Sequence, residues 1–301
     1  MNTVVHTAHN VTARALGWLH ANRDLGAFDD DATADLNDPD GVYKPLCELA
    51  LASSLVLREG VAGTAELRAA RELLEFSWRQ LRRGDLLYER QLRHVLLTDP
   101  LETYAHHARG GLRHEALEQL LAQDSATDSM TEVVPNRRLA VANAHRVVGL
   151  PRDDDPQDML RQTWLGRTPQ PWALDWYTAY HMTHAVFHVT DWGALPGELP
   201  PDVAEYLRNW LPAWFEVWAE AGQWDLIGEL LIVGACLPEP WCEPARWELF
   251  AGLQHADGLV PRDTEPVDDE PLRRFHDHQH TAVVAAIAGT LTTSRLLGGS
   301  T

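Results

Sequence analysis

Between Trp176 and Gly193 the chain reads WYTAYHMTHAVFHVTDWG, with histidines at 181, 184 and 188 and an aspartate at 191. On a helix, spacings of three, four and seven return to nearly one face. Neutral imidazoles ligate zinc, iron and copper, carboxylates complete many such sites, and the same groups move protons near neutral pH. His184 is expected as a metal ligand, with His181, His188 and Asp191 as its catalytic partners. Asp191 would orient an imidazole or cap a neighbouring segment, because Trp192–Gly193 ends the helix. Each residue also has a structural reading. His181 suits a solvated first turn, and His188 suits a core histidine bonded to a carbonyl or to a carboxylate such as Asp191.

His184 has counterparts elsewhere. Four stretches, VYKPLCELALAS from Val42, AYHMTHAVFHVT from Ala179, QWDLIGELLIVG from Gln223 and RFHDHQHTAVVA from Arg274, centre on Glu48, His184, Glu229 and His280. Five residues before each centre stand Tyr43, Ala179, Trp224 and Phe275, and apolar or small residues follow. Helices of this kind bury their bodies, where an unpaired polar side chain is costly. Their first turns would converge on one pole of a ring, and Glu48, His184, Glu229 and His280 would make a two-His, two-carboxylate set suited to Zn, Fe or Mn. Glu48 and Glu229 could instead be first-turn carboxylates held by the helix dipole, or partners of buried arginines. In the run His276–His278–His280, alternate residues diverge on a helix, so only one or two can join a site. His106 and His107, ahead of Gly110–Gly111, read as a helix end. Trp210, Trp214 and Trp218 form an i, i+4, i+8 stripe that suits core packing, or else an aromatic wall around a ligand.

The elements that must position these groups are helices. Apolar residues recur at three and four, and period-two runs are scarce. The pattern predicts helices over 3–22, 43–59, 64–83, 85–97, 100–108, 112–123, 136–147, 156–166, 172–191, 201–221, 223–236, 242–255 and 271–296. The breakers between them are rich in Pro, Gly and Asp, as in GLPRDDDP and LPGELPPD. The acidic stretches 29–40 and 263–270 read as solvated loops, with cation binding as the alternative. Helices with short connections predict an all-α fold: a single domain over 1–301, built as an (α/α) toroid of about twelve helices.

The stretches LQHADGLVP (253–261) and FHDHQHTAVVAAIAG (275–289) resemble the closing turn of (α/α) toroid proteins. That group includes protein prenyltransferase β subunits, class II terpene cyclases and lanthionine cyclases. Asp277, His280 and Thr281 match the short Asp–x–x–His–Thr start of a prenyltransferase inner helix, which implies His280 as a ligand. The Asp–x–Cys pair of that zinc site, the Asp–x–Asp–Asp of the terpene cyclases and the Cys–His–Gly of the lanthionine cyclases are absent; Asp153–Asp155 lies in a Pro-flanked loop. THAVFHVTDWG is similar to a motif of uncharacterised actinobacterial proteins.

Composition narrows the partners. The 301 residues carry a formal charge of −19, and Lys44 is the sole lysine. An acidic chain repels phosphate backbones and anionic lipid, so neither nucleic acid nor a membrane is expected as partner. Cys47, Cys236 and Cys242 form no CxxC pair and the count is odd, which argues against a disulfide framework. The first twenty residues lack a signal-peptide pattern, so the expected location is cytoplasmic. No GxSxG, Walker A, GxGxxG or HExxH occurs, and no nucleotide cofactor is expected. The expected function is a tailoring or cyclisation enzyme of secondary metabolism, acting on a small molecule or short peptide at a His/Glu site with or without a divalent metal. The alternative is a non-catalytic helical scaffold that offers an acidic face to a basic partner.

Overall fold

A computed structural model of the chain describes residues 2–29, 32–35, 43–94, 98–123, 134–150 and 155–298. Among them are thirteen α-helices and no strand. They are α1 (Asn2–Asn22), α2 (Lys44–Glu59), α3 (Thr64–Gln80), α4 (Asp85–Arg93), α5 (Asp99–Arg109), α6 (Glu115–Gln123), α7 (Pro135–Val148), α8 (Pro156–Gln162), α9 (Trp176–Val189), α10 (Pro201–Glu220), α11 (Trp224–Cys236), α12 (Pro244–Leu253) and α13 (Pro271–Gly298). Each answers to one helix read from the periodicity. At the start of α9 the difference comes from capping. Asp175 caps α9 through a reciprocal bond with Thr178, so 172–175 stays outside the helix. Most of the acidic stretch 29–40, together with Asp153 and Asp154, lies outside the described residues. The stretch 263–270 is a loop whose carboxylates bond their own backbone, Asp263 to the Glu265 amide and Asp268 to that of Glu270.

Packing closes six of the helices into a ring: α2 packs on α5, α5 on α7, α7 on α9, α9 on α11, α11 on α13, and α13 back on α2. The remaining helices stand outside, with α3 against α2, α8 against α7, α10 against α11, and α1 against α13, α3 and α12. The chain thus steps from inner to outer helix repeatedly, as in an (α/α) toroid. Composition marks the extremes, although α5 and α7 are inner helices as polar as the outer α3. In α11 every residue from Asp225 to Cys236 is buried, so it has protein on all sides. Outer helices such as α3 and α10 keep one apolar face and one charged face. α13 is long and apolar enough to cross a membrane, but most of it is buried between α1, α2 and α11. In the α10 stripe Trp214 is buried and donates to the Pro171 carbonyl at 3.0 Å, Trp218 packs half-buried against the core and Trp210 is exposed.

The carboxyl ends of the inner helices gather at one pole, around the segment that follows α9. Asp191, Trp192 and Gly193 all have positive φ, at 45°, 52° and 75°. Arg109 of α5 holds the Asp191 carboxylate with two bonds, at 2.6 and 3.2 Å, and Asn143 of α7 adds a third at 3.2 Å. Arg58 of α2 donates to the carbonyls of Asp191 and Trp192, both at 2.7 Å. On the far side, Arg295 of α13 donates to the carbonyls of Ala235, Leu237 and Pro238 at the end of α11. Charged side chains thereby satisfy helix-end carbonyls that have no partner within their own helices. Asp191 therefore does not share the face of His184, nor does it orient an imidazole. The helix stops at Val189, and the left-handed turn swings Asp191 onto arginines. Three guanidiniums, with Arg109 making the hydrogen bonds, outweigh burial and hold its carboxyl below the usual aspartate value.

Candidate functional site

The opposite pole is open. A cavity of 820 Å³ is lined by α2, α5, α9, α11 and α13 from their amino-terminal turns to their middles or beyond, and by Arg137 at the start of α7. That volume is typical of a small-molecule site. The inner helices run in one direction, so their residues face the cavity in tiers. Glu48, His184, Glu229 and His280, from four helices and up to 232 residues apart, line it together. One turn nearer the mouth stand Lys44, Tyr180, Asp225 and His276, each four residues before its centre. One turn deeper stand Leu51, Phe187, Ile232 and Val283, each three residues after it. Helical pitch separates such tiers by roughly 5 Å. The cavity therefore has a mixed polar mouth, a His/Glu middle and an apolar floor, which Trp192 and His188 help to close.

The middle tier is one chain of charge contacts. His280 Nδ1 lies 2.7 Å from Glu48 Oε1, and its Nε2 lies 3.8 Å from Glu229 Oε1. His184 Nε2 reaches the same Glu229 oxygen at 3.7 Å. Thr183 donates to the other Glu229 oxygen, and Tyr180 donates to Asp225. Burial opposes charge on His280, yet the two carboxylates outweigh it and raise its pKa to about 10. Burial likewise opposes charge on Glu229, and the imidazoles of His184 and His280, at 3.7 and 3.8 Å, overcome it, bringing the carboxyl down to about 2. His280 is thus an imidazolium between two carboxylates at neutral pH. Burial dominates at Asp225 and raises its carboxyl. Asp99 and Asp225 open their helices, where the positive dipole ends favour negative charge.

These four side chains do not fit a divalent cation as they stand. Glu48 and Glu229 each direct an oxygen at His280, and a cation would have to displace the proton that His280 shares with them. Among the described residues no three His, Cys, Asp or Glu side chains are arranged to hold a metal ion.

The histidine triplet divides by depth. His184 lines the middle tier with about a third of its side chain exposed. His188 is buried one turn deeper, edge-on to Trp192, and burial drives its pKa well below the ordinary imidazole value. His181 does not line the cavity. Its Nδ1 meets the Asn136 amide of α7 at 2.8 Å, and Tyr177 lies against its ring. In the HxHxH run, His278 turns away to accept the Arg262 amide, while His276 and His280 face the cavity.

Sequence reasoning missed Tyr180, Asp225 and His106. The first two were legible in the same repeat, read one turn earlier. His106 reads as a cationic helix end, yet it lines the cavity, bonds Ser54 at 3.2 Å and is kept neutral by burial. No repeat signal marks it, because α5 and α7 lack the polar centre of the other four inner helices. His107 is structural, bonded to the Thr103 carbonyl and to Ser77.

One family model matches the chain, over residues 12–290 of 301. The chain belongs to the family of the domain of unknown function DUF6895. The match takes in all six inner helices of this DUF6895 protein up to Thr290, and with them every residue of the middle tier. No curated protein and no solved structure matches it.

Proposed function

We propose that this DUF6895 protein is an enzyme that moves protons on a small molecule or short peptide held in the cavity, in a cyclisation or related tailoring reaction. The observation that carries this reading is the His184–Glu229–His280–Glu48 chain in the wall of an 820 Å³ cavity. A partly exposed imidazole backed by a buried carboxylate is the arrangement of a general base with its orienting group. Glu229 orients His184. The His280 imidazolium keeps Glu229 ionised and offers a fixed positive charge where negative charge develops on the substrate. In a cyclisation, a nucleophilic X–H adds to an unsaturated carbon. The X–H bond breaks as the X–C bond forms, the π pair moves to the neighbouring atom, and His184 carries the proton from X to that atom. Nothing else is consumed.

The test uses a small-molecule extract of the cells that make the protein, incubated with purified protein and followed by mass spectrometry. At least one compound should disappear with the wild type and persist with His184→Ala and Glu229→Gln, each shown folded by circular dichroism. His181→Ala should behave as wild type, because that ring faces Asn136. No compound consumed by the wild type would overturn the enzyme reading in favour of a scaffold.

A further inference from the structure

The tiers of the cavity describe a ligand. Below the middle tier the wall is apolar: Leu51, Phe187, Ile232, Val283 and Ile287 line it without a charged group among them. The middle tier has two carboxylates, Glu229 buried and Glu48 partly buried, facing one imidazolium. The cations nearer the mouth already have acidic neighbours: Arg262 bonds Asp263 at 2.9 Å, Arg137 meets Glu102 at 3.5 Å, and Lys44 stands 3.9 Å from Glu48. One acceptor in the middle tier is left over. Glu48 lines the cavity, its Oε2 is buried with no hydrogen-bond partner among the described residues, and a turn of the carboxylate about Cγ–Cδ would present that oxygen to a ligand. An unsatisfied buried carboxylate oxygen costs free energy that a donor on a ligand would recover. Tyr180, Phe187 and Trp192 add aromatic walls that favour a cation.

We infer that the cavity binds a primary or secondary amine bearing an apolar tail, its N–H groups donating to Glu48 Oε2 in the middle tier and its tail lying on the apolar floor. This rests on the proposed function and names its substrate class: His184 takes one ammonium proton, which frees the nitrogen lone pair for the N–C bond, and delivers that proton to the atom that receives the π pair. The N–H donor is essential, because the orphan is an acceptor; a quaternary ammonium offers charge and no hydrogen bond. An anion with the same tail would meet Glu48 and Glu229 at the depth where the amine finds its partners.

Calorimetric titration of the wild-type protein with n-alkylamines from butyl to octyl tests this. Affinity should rise about fourfold per added methylene until the floor is filled. Matching alkanoates, alkyl phosphates and alkyltrimethylammonium ions should bind at least tenfold more weakly. Glu48→Gln should weaken amine binding at least tenfold, and Ile232→Trp should shorten the best-bound chain. The wild-type series decides even if a variant fails to fold. An anion binding as well as the amine, a trimethylated analogue equal to it, or an affinity indifferent to chain length would each overturn the inference. None of those results touches the consumption assay, so an enzyme that takes a different substrate class would still be recognised as one.

Discussion

His280 is held by groups that oppose its ordinary chemistry. Each carboxylate beside it raises its pKa, so removing one should be visible directly. Glu229→Gln should move the His280 titration, followed by NMR of the imidazole protons, from about 10 down toward the ordinary value of 6.5. An unchanged titration would mean that Glu48 alone sets the charge. His184 has no second carboxylate contact among the described residues, and its loss should be felt in turnover. His184→Ala should lower the rate by roughly 10²–10⁴-fold, the usual worth of a general base, with the melting temperature near wild type. Asp191 belongs to the other pole and should behave in the opposite way. Asp191→Ala removes the partner of Arg109 and should destabilise the protein by about 3 kcal/mol, the scale of breaking a buried pair. Thermal melting checks that, and substrate or ligand binding by the folded fraction should persist.

At the scale of elements, α13 does the most work. It contacts α1, α2 and α11, carries His276 and His280, and closes the ring. Its approach to α1 depends on Gly289. A Cβ there would stand 2.3 Å from the Ala8 carbonyl and 2.3 Å from Thr12 Oγ1. Thr12 in turn donates to the Ala286 carbonyl at 3.2 Å, tying the two helices at the same level. Gly289→Ala must separate them, and should cost about 1–3 kcal/mol, as overpacking of a filled core does. Denaturant unfolding would show it, and a melting curve indistinguishable from wild type would mean that α1 is free to shift. α9 is held at both ends, by the Asp175–Thr178 box at its start and the Asp191 turn at its finish. That fixes the depth at which His184 and His188 enter the cavity.

For the whole molecule, pH acts through two opposed sets of histidines. The raised pKa of His280 contributes stability that is full below 6.5 and is lost as pH rises toward about 10. His106, His107 and His188 have lowered pKa values, chiefly from burial, so the unfolded chain takes up protons that the folded chain refuses below 6.5. Their contribution falls as the solution is acidified. Glu229 adds to the acid side, since its depressed carboxyl contributes stability above 4.5 that is lost as pH falls toward about 2. Melting temperature should therefore peak near pH 6.5 and decline in both directions. His280→Gln should flatten the alkaline limb up to about pH 9, above which the thiols of Cys47, Cys236 and Cys242, whose pKa values burial raises, also cost stability, and should leave the acid limb in place. An alkaline limb of equal slope in that variant would assign it to other groups.

Local sequence was enough for the helices, because each carries its own periodicity and its own stop signals. The repeat around Glu48, His184, Glu229 and His280 was legible for a related reason: parallel helices with one phase must bring equivalent positions to one depth, and the cost of burying an unpaired charge draws these four together. His181 and Asp191 show where that reasoning stopped. Both obey the spacing of the helix that holds His184. A neighbour outside the sequence window, Asn136 on α7, occupies His181, and a left-handed turn sends Asp191 to the closed pole. His106 carries no local mark at all, since only ring closure between α2 and α5 turns it toward the cavity. The sequence by itself determined which segments are helices, the inner place of the four that carry a polar centre, and the phase of their polar residues. Tertiary structure alone decided which polar residues meet. Ion pairing, the sign of each pKa shift and the shape of a cavity depend on distances between helices, and no single helix contains those distances.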